Sequence, residues 1–137
     1  MKRPMLLSVA SVLLLCCNNG SEKEAAQDNR IYLRTDTLNV VKLTDTMVIY
    51  ESTCRGCAYE GSTKFSVEDS LGVVKLQNII TSDGNSPDVA GGNISKVLVI
   101  VPQKAGTTSF KMYKFLDERT IAEDSAFFKR YHVEVKN

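Results

Sequence analysis

Cys54 and Cys57 enclose Arg55 and Gly56 in a C-x-x-C spacing, and that spacing is compatible with three kinds of chemistry. A structural zinc ion takes four ligands, usually cysteine and histidine. The chain outside its first seventeen residues offers only these two thiols and one imidazole, His132, so a tetrahedral site cannot close within one chain. A thioredoxin-type redox pair needs its first cysteine at a helix N-terminus, where the thiolate is stabilised. Val48-Ile49-Tyr50 reads as a strand before the motif, but Ala58-Tyr59-Glu60-Gly61-Ser62-Thr63-Lys64 carries no helical apolar stripe after it. The third chemistry is a structural disulfide, Cys54 to Cys57, formed outside the reducing cytoplasm. Its small ring stiffens one loop rather than tying distant strands together. A stiff loop loses less entropy on binding, as a recognition surface requires.

Other reactive constellations are missing. One histidine supports no Ser/His/Asp triad, and no glycine-rich loop precedes a helix to cradle a phosphate. Carboxylates from Asp45 to Asp124 are scattered. The expectation is a protein without catalytic residues, metal or cofactor. Lysine and arginine exceed aspartate and glutamate by 17 to 16, a net charge of +1, too little to neutralise a nucleic-acid backbone.

The N-terminus reads as an address. Lys2 and Arg3 precede an apolar run from Leu6 to Leu15, broken only by Ser8 and Ser11. The run falls short of the ~20 apolar residues that span a bilayer and has the length of a signal-peptide core. Leu14-Leu15-Cys16-Cys17 resembles a lipobox, with Cys16 as the small residue before the lipidated Cys17. Residues 1–16 then form the signal peptide. Acyl chains on Cys17, such as palmitate, would anchor the protein at ~0.8 kcal/mol per buried methylene. Asn18 to Asn29 is polar and lacks large apolar residues, which makes 17–29 a lipidated flexible tether. Its Ser21-Glu22-Lys23-Glu24 resembles the export signals of lipoproteins in Bacteroidetes-type bacteria. The expected location is the cell envelope, lipid-anchored at the outer membrane and facing the periplasm or the surface. Removing residues 1–16 takes away Lys2 and Arg3 and no acid, leaving 15 basic against 16 acidic residues, net −1. A nearly neutral domain is not built to capture a strongly charged partner.

The elements that must position the cysteine loop are strands. β-Branched and aromatic runs recur at Ile31–Leu33, Thr37–Val41, Thr46–Tyr50, Lys64–Val67, Val73–Ile80, Lys96–Val101, Thr107–Phe115 and Phe128–Val135. Turn-forming clusters such as Asp83-Gly84-Asn85, Gly91-Gly92 and Lys104-Ala105-Gly106 separate them. The pattern predicts an all-β fold over 30–137, an immunoglobulin-like antiparallel β-sandwich of about seven to eight strands. Val97-Leu98-Val99-Ile100-Val101 is apolar throughout, which predicts a central strand covered on both faces and ended by Pro102. The last run alternates. Tyr131, Val133 and Val135 face the core, while Arg130, His132, Glu134 and Lys136 face water. Phe115 to Phe127 leaves room for one short helical turn.

The second half also carries a resemblance. Asp88-Val89-Ala90-Gly91-Gly92-Asn93 looks like the glycine-rich loop of the chagasin-type inhibitors of papain-like cysteine peptidases. Lys104-Ala105-Gly106-Thr107 running to Tyr113 looks like that family's K-A-G-T-x-x-(apolar)-x-x-Y strand. Tyr131 to Lys136 resembles its last strand. The family's N-P-T-T-G loop is replaced by Ser52-Thr53-Cys54-Arg55-Gly56-Cys57-Ala58-Tyr59, and Lys114-Phe115-Leu116 stands where the family has R-P-W. The resemblance implies a monomeric, non-catalytic module whose three loops enter a peptidase cleft. Thr53, Arg55 and Gly56 would serve in the first loop, Ala90, Gly91, Gly92 and Asn93 in the second, and Lys114, Phe115 and Leu116 in the third. Two alternatives stay open: a structural or adhesion-type envelope lipoprotein, and a thiol–disulfide redox protein.

Overall fold

The computed structural model describes residues 29–88 and 90–137. The signal peptide, Cys17 and most of the tether lie outside the described residues.

All eight expected strands form, in the expected order. They are β1 (Ile31–Tyr32), β2 (Leu38–Lys42), β3 (Met47–Cys54), β4 (Lys64–Glu68), β5 (Val74–Ser82), β6 (Asn93–Pro102), β7 (Gly106–Phe115) and β8 (Phe128–Lys136). One short helix, α1 (Ile121–Asp124), lies between β7 and β8. Two four-stranded sheets result, one in the order β1-β3-β6-β5 and the other β2-β8-β7-β4. The fold is the expected β-sandwich.

Alternation in the strands divides the side chains between core and surface. Met47 and Ile49 of β3, Leu98 and Ile100 of β6, Phe110 and Met112 of β7, and Tyr131, Val133 and Val135 of β8 meet in one core. Phe110 stacks on Tyr131 at 5.3 Å between ring centres. Arg130 and His132 are exposed, as the alternation of β8 requires. β6 is central, between β3 and β5. Its outward residues Val97 and Val99 cluster with Val48 on the far face of the sheet. Register places Tyr32 beside Val48 and Tyr50 beside Val97. The two tyrosines stack at 5.2 Å, with their hydroxyls 3.2 Å apart. This pair explains how an all-apolar strand has both faces covered.

Two features differ from the sequence expectation. The first two strands pair parallel, β1 with β3 and β2 with β8, whereas all other pairings are antiparallel. Each is an edge strand separated in sequence from its partner by one strand (β1 and β3) or five (β2 and β8), so no hairpin forces the antiparallel sense. Also, β3 runs past Tyr50 to Cys54, because Glu51, Ser52, Thr53 and Cys54 continue the ladder opposite Lys96, Ser95, Ile94 and Asn93. Backbone pairing carries the strand through residues that have no apolar pattern.

The end of the sandwich remote from Cys54 is fastened by Asp69. Its carboxylate accepts hydrogen bonds from the Leu71, Val73 and Val74 amides at 3.1, 2.7 and 2.9 Å, and from the Thr108 hydroxyl at 2.6 Å. Thus one side chain joins the turn after β4, the start of β5 and the first part of β7. Burial opposes its ionisation. The Thr108 hydroxyl and the three amides outweigh that cost and hold the carboxyl below its ordinary value.

Candidate functional site

Antiparallel pairing brings three connections to one end of the sandwich. Cys54 sits opposite Asn93 and Ser82 opposite Ser95 in one sheet, while Lys64 sits opposite Phe115 and Phe128 opposite Tyr113 in the other. The first loop (55–63), the second (83–92) and the third (116–127) therefore emerge side by side.

The first loop is the middle one and is bound to both neighbours. The Arg55 amide donates to the Gly92 carbonyl at 2.9 Å. The Arg55 guanidinium lies 3.2 Å from the Asp83 carboxylate and donates to the Ser86 carbonyl at 3.0 Å. On the other side, the Ser62 hydroxyl donates to the Leu116 carbonyl at 2.8 Å, and Lys64 pairs with Glu118 at 3.0 Å. Within the loop, Cys54 and Cys57 stand at disulfide-bonding distance with Cα atoms 5.8 Å apart. Cys54 is the last residue of β3, and the chain beyond it runs through a set of turns, not a helix. The Gly56 amide donates to Glu60, and the Tyr59 amide points at the Cys57 sulfur at 3.4 Å.

The second loop is organised by Asp83 and Asn85. The Asp83 carboxylate accepts from the Asn85 amide and side chain, each at 3.0 Å, and the Asn85 side chain also donates to the Asn93 carbonyl at 3.1 Å. The Asn85 hydrogen bonds, with the Arg55 charge beside them, hold Asp83 below the usual carboxylate range. Gly92 has φ +94°, and a Cβ there would come within 3.3 Å of the Asn85 side chain. Only glycine meets both demands without strain.

The third loop folds on two carboxylates. Asp117 accepts from the Arg119 amide at 2.8 Å, the Thr120 amide at 3.0 Å and the Arg119 guanidinium at 2.7 Å. The Arg119 hydrogen bond is the chief cause that keeps Asp117 below its ordinary value. Asp124 in α1 accepts from the Leu116 amide at 2.8 Å and the Thr120 hydroxyl at 2.7 Å.

The expected loop residues take different positions. Gly56, Ala90 and Gly92 are exposed and Gly91 is half-buried. Arg55 reaches sideways to the second loop rather than outward. Thr53 is inside the sandwich at 3% exposure, and its hydroxyl has no hydrogen-bond partner among the described residues. Asn93 opens β6 and is exposed. Lys114 points between the sheets, donates to the Ser52 carbonyl and lies 3.9 Å from Glu51. Phe115 closes β7 and stacks on Tyr113 at 5.6 Å. Leu116 is half-buried and lines a cleft with Glu51, Lys114 and Lys129. Glu51, buried in that cleft, pairs with Lys129. Burial, with the Glu51 charge added, pushes the Tyr131 hydroxyl up to about 12.

Two apolar residues outside the sequence expectation project from the third loop. Phe127 is 76% exposed and Ile121 42% exposed. Their signal in the sequence is a negative one. Apolar residues between 115 and 127 have no helical or strand period, so no core face claims them.

No family model matches the chain, and no curated protein matches it. Among solved structures, it is similar to the crystal structure of the cysteine protease inhibitor EhICP2 from Entamoeba histolytica. The TM-score is 0.57 at 14% identity, covering 79% of this chain and 95% of that one. The solution structure of amebosin aligns with a TM-score of 0.48 at 12% identity, covering 78% of this chain and 94% of that one. The first likeness is one of fold.

Proposed function

We propose that this chain is a non-catalytic inhibitor module whose three-loop end docks into the cleft of a papain-like cysteine peptidase. In this reading Cys17 carries the lipid that holds the domain on a bacterial outer membrane. The carrying observation is the fastening of three adjacent loops into one rigid end, through Arg55 to Asp83, Ser86 and Gly92, and through Ser62 to Leu116. Loops already fixed in place lose little entropy on docking. The fold shared with a cysteine protease inhibitor of Entamoeba histolytica supports the choice of partner.

The division of labour follows from the surface. Gly56 and Ala58 in the first loop, and Ala90 and Gly92 in the second, present backbone with little side chain and allow close approach. Phe127 and Ile121 are the apolar anchors, the kind of residue that dominates interface energies. Lys114, Phe115 and Leu116 support the third loop from behind.

The test is titration of residues 22–137, which contain every strand and the whole core, against papain-like, serine and metallopeptidases. Inhibition confined to the papain-like class is expected. No inhibition across the panel would refute the reading and leave an envelope lipoprotein of structural or adhesive type.

A further inference from the structure

We infer that the Cys54–Cys57 bridge is a covalent trap, with Cys54 the sulfur attacked by the thiolate of the docked peptidase. This rests on the inhibitor reading and goes beyond it, since docking alone needs only a stiff loop.

Four observations carry it. The bridge lies in the middle loop of the three, the one flanked by partners on both sides. Cys54 occupies the outward register of β3, with Val48, Tyr50 and Ser52, opposite to the buried Thr53. Of the residues next to the two cysteines, two are small and one is turned away. Gly56 and Ala58 offer no obstructing side chain, and Arg55 is held aside by Asp83 and Ser86. Finally, the two sulfurs are not equivalent. Among the described residues only Cys57 accepts an amide N–H, from Tyr59 at 3.4 Å. An N–H donor stabilises a thiolate, so Cys57 is the better leaving group.

The exchange balances without an external oxidant or reductant. The peptidase thiolate attacks the Cys54 sulfur and a peptidase–Cys54 disulfide forms. The Cys54–Cys57 bond breaks, and its electron pair leaves on Cys57 as a thiolate. That thiolate keeps the Tyr59 amide and later takes a proton from water. One disulfide is consumed and one is made. Cys57 remains nearby as a resolving thiol, so the adduct is reversible and a small-molecule thiol would release it.

The experiment uses residues 22–137 with the bridge intact and activated papain freed of reductant. The expected product has the summed mass of the two proteins, survives a non-reducing gel and is lost on adding dithiothreitol. Peptide mapping should place papain on Cys54 and a free thiol on Cys57. Papain with alanine at its nucleophile should bind and form no adduct. A Cys54→Ser/Cys57→Ser double variant should inhibit reversibly and form none. Inhibition of active papain without an adduct overturns the inference while the inhibitor reading stands. Linkage to Cys57, or equal adduct with free glutathione, also overturns it. If the alanine papain does not bind and active papain is not inhibited, the underlying reading fails as well.

Discussion

Replacing Asp69 by alanine should destabilise the sandwich by about 3–5 kcal/mol, on the scale of buried donors left without partners. Four donors meet this carboxylate: the amides of Leu71, Val73 and Val74 and the hydroxyl of Thr108. Val73 and Val74 are 3% and 4% exposed, so water cannot take over their N–H groups. A buried donor left without a partner costs about 1–3 kcal/mol. These two amides give about 2–6 kcal/mol, and the Thr108 hydroxyl, 4% exposed, places the total above the bottom of that range. The Leu71 amide and the side chain's own exposed part contribute little, because solvent reaches them. Against a typical total of about 5–15 kcal/mol, the loss is large. The acid limb of the stability profile carries a second signature. Hydrogen bonding holds Asp69 below the ordinary 3.8 in the folded protein. Its contribution is thus present above that unfolded value and is lost as pH falls through the lower folded one. Asp69→Asn keeps the shape but does not titrate, so part of the acid slope should vanish, with Asp83 and Asp117 supplying the remainder. Urea unfolding at steps from neutral pH into the acid range measures both effects. An alanine variant within about 0.5 kcal/mol of the parent, the range of ordinary surface changes, would contradict this account. So would an unchanged slope in the asparagine variant.

Phe127→Ala should weaken inhibition of a papain-like peptidase by about 2 kcal/mol, roughly thirtyfold. The melting temperature should change little, because Phe127 is 76% exposed. Inhibition constants beside thermal melts check this. Arg55→Ala removes an ion pair and a hydrogen bond at the surface, about 1 kcal/mol together. Its larger effect should be faster amide hydrogen exchange in residues 83–92, with exchange in β7 and β8 unchanged. Cys54→Ser/Cys57→Ser should leave the sandwich folded and loosen residues 55–63, since the bridge spans only three residues of sequence; global unfolding in circular dichroism would contradict this. Cys17→Ala should move the protein from the membrane fraction to the soluble fraction, and continued membrane binding would contradict lipidation.

The strands are legible in the sequence because the core imposes its period on them. Tyr131, Val133 and Val135 alternate with Arg130, His132 and Glu134, and the structure sorts them accordingly. The ends of strands are less legible. Glu51 to Cys54 has no apolar alternation, and only its pairing with the start of β6 makes it strand. The loop chemistry is legible in residue type but not in direction. Arg55 is readable as a loop cation, but its targets, Asp83 and Ser86, lie far along the chain and meet it only after both sheets form. Lys114 and Phe115 are neighbours, and strand parity sends one between the sheets and the other to the outer face. A frame of one residue decides that, and composition alone does not contain it.

The cleft holding Glu51, Lys114 and Lys129 also bears on how copies of this protein coexist. β1 covers β3 only at Met47 and Val48, and β2 covers β8 only from His132 onward. Beyond those points neither β3 nor β8 pairs with a further strand on that side among the described residues. A neighbouring chain extending either rim would have to displace the Lys114 contact to the Ser52 carbonyl and strip water from the ammonium of Lys129. Inward-pointing charge of this kind discourages edge-to-edge growth. Along these two rims, even at high local density, neighbouring molecules should stay separate rather than zip together.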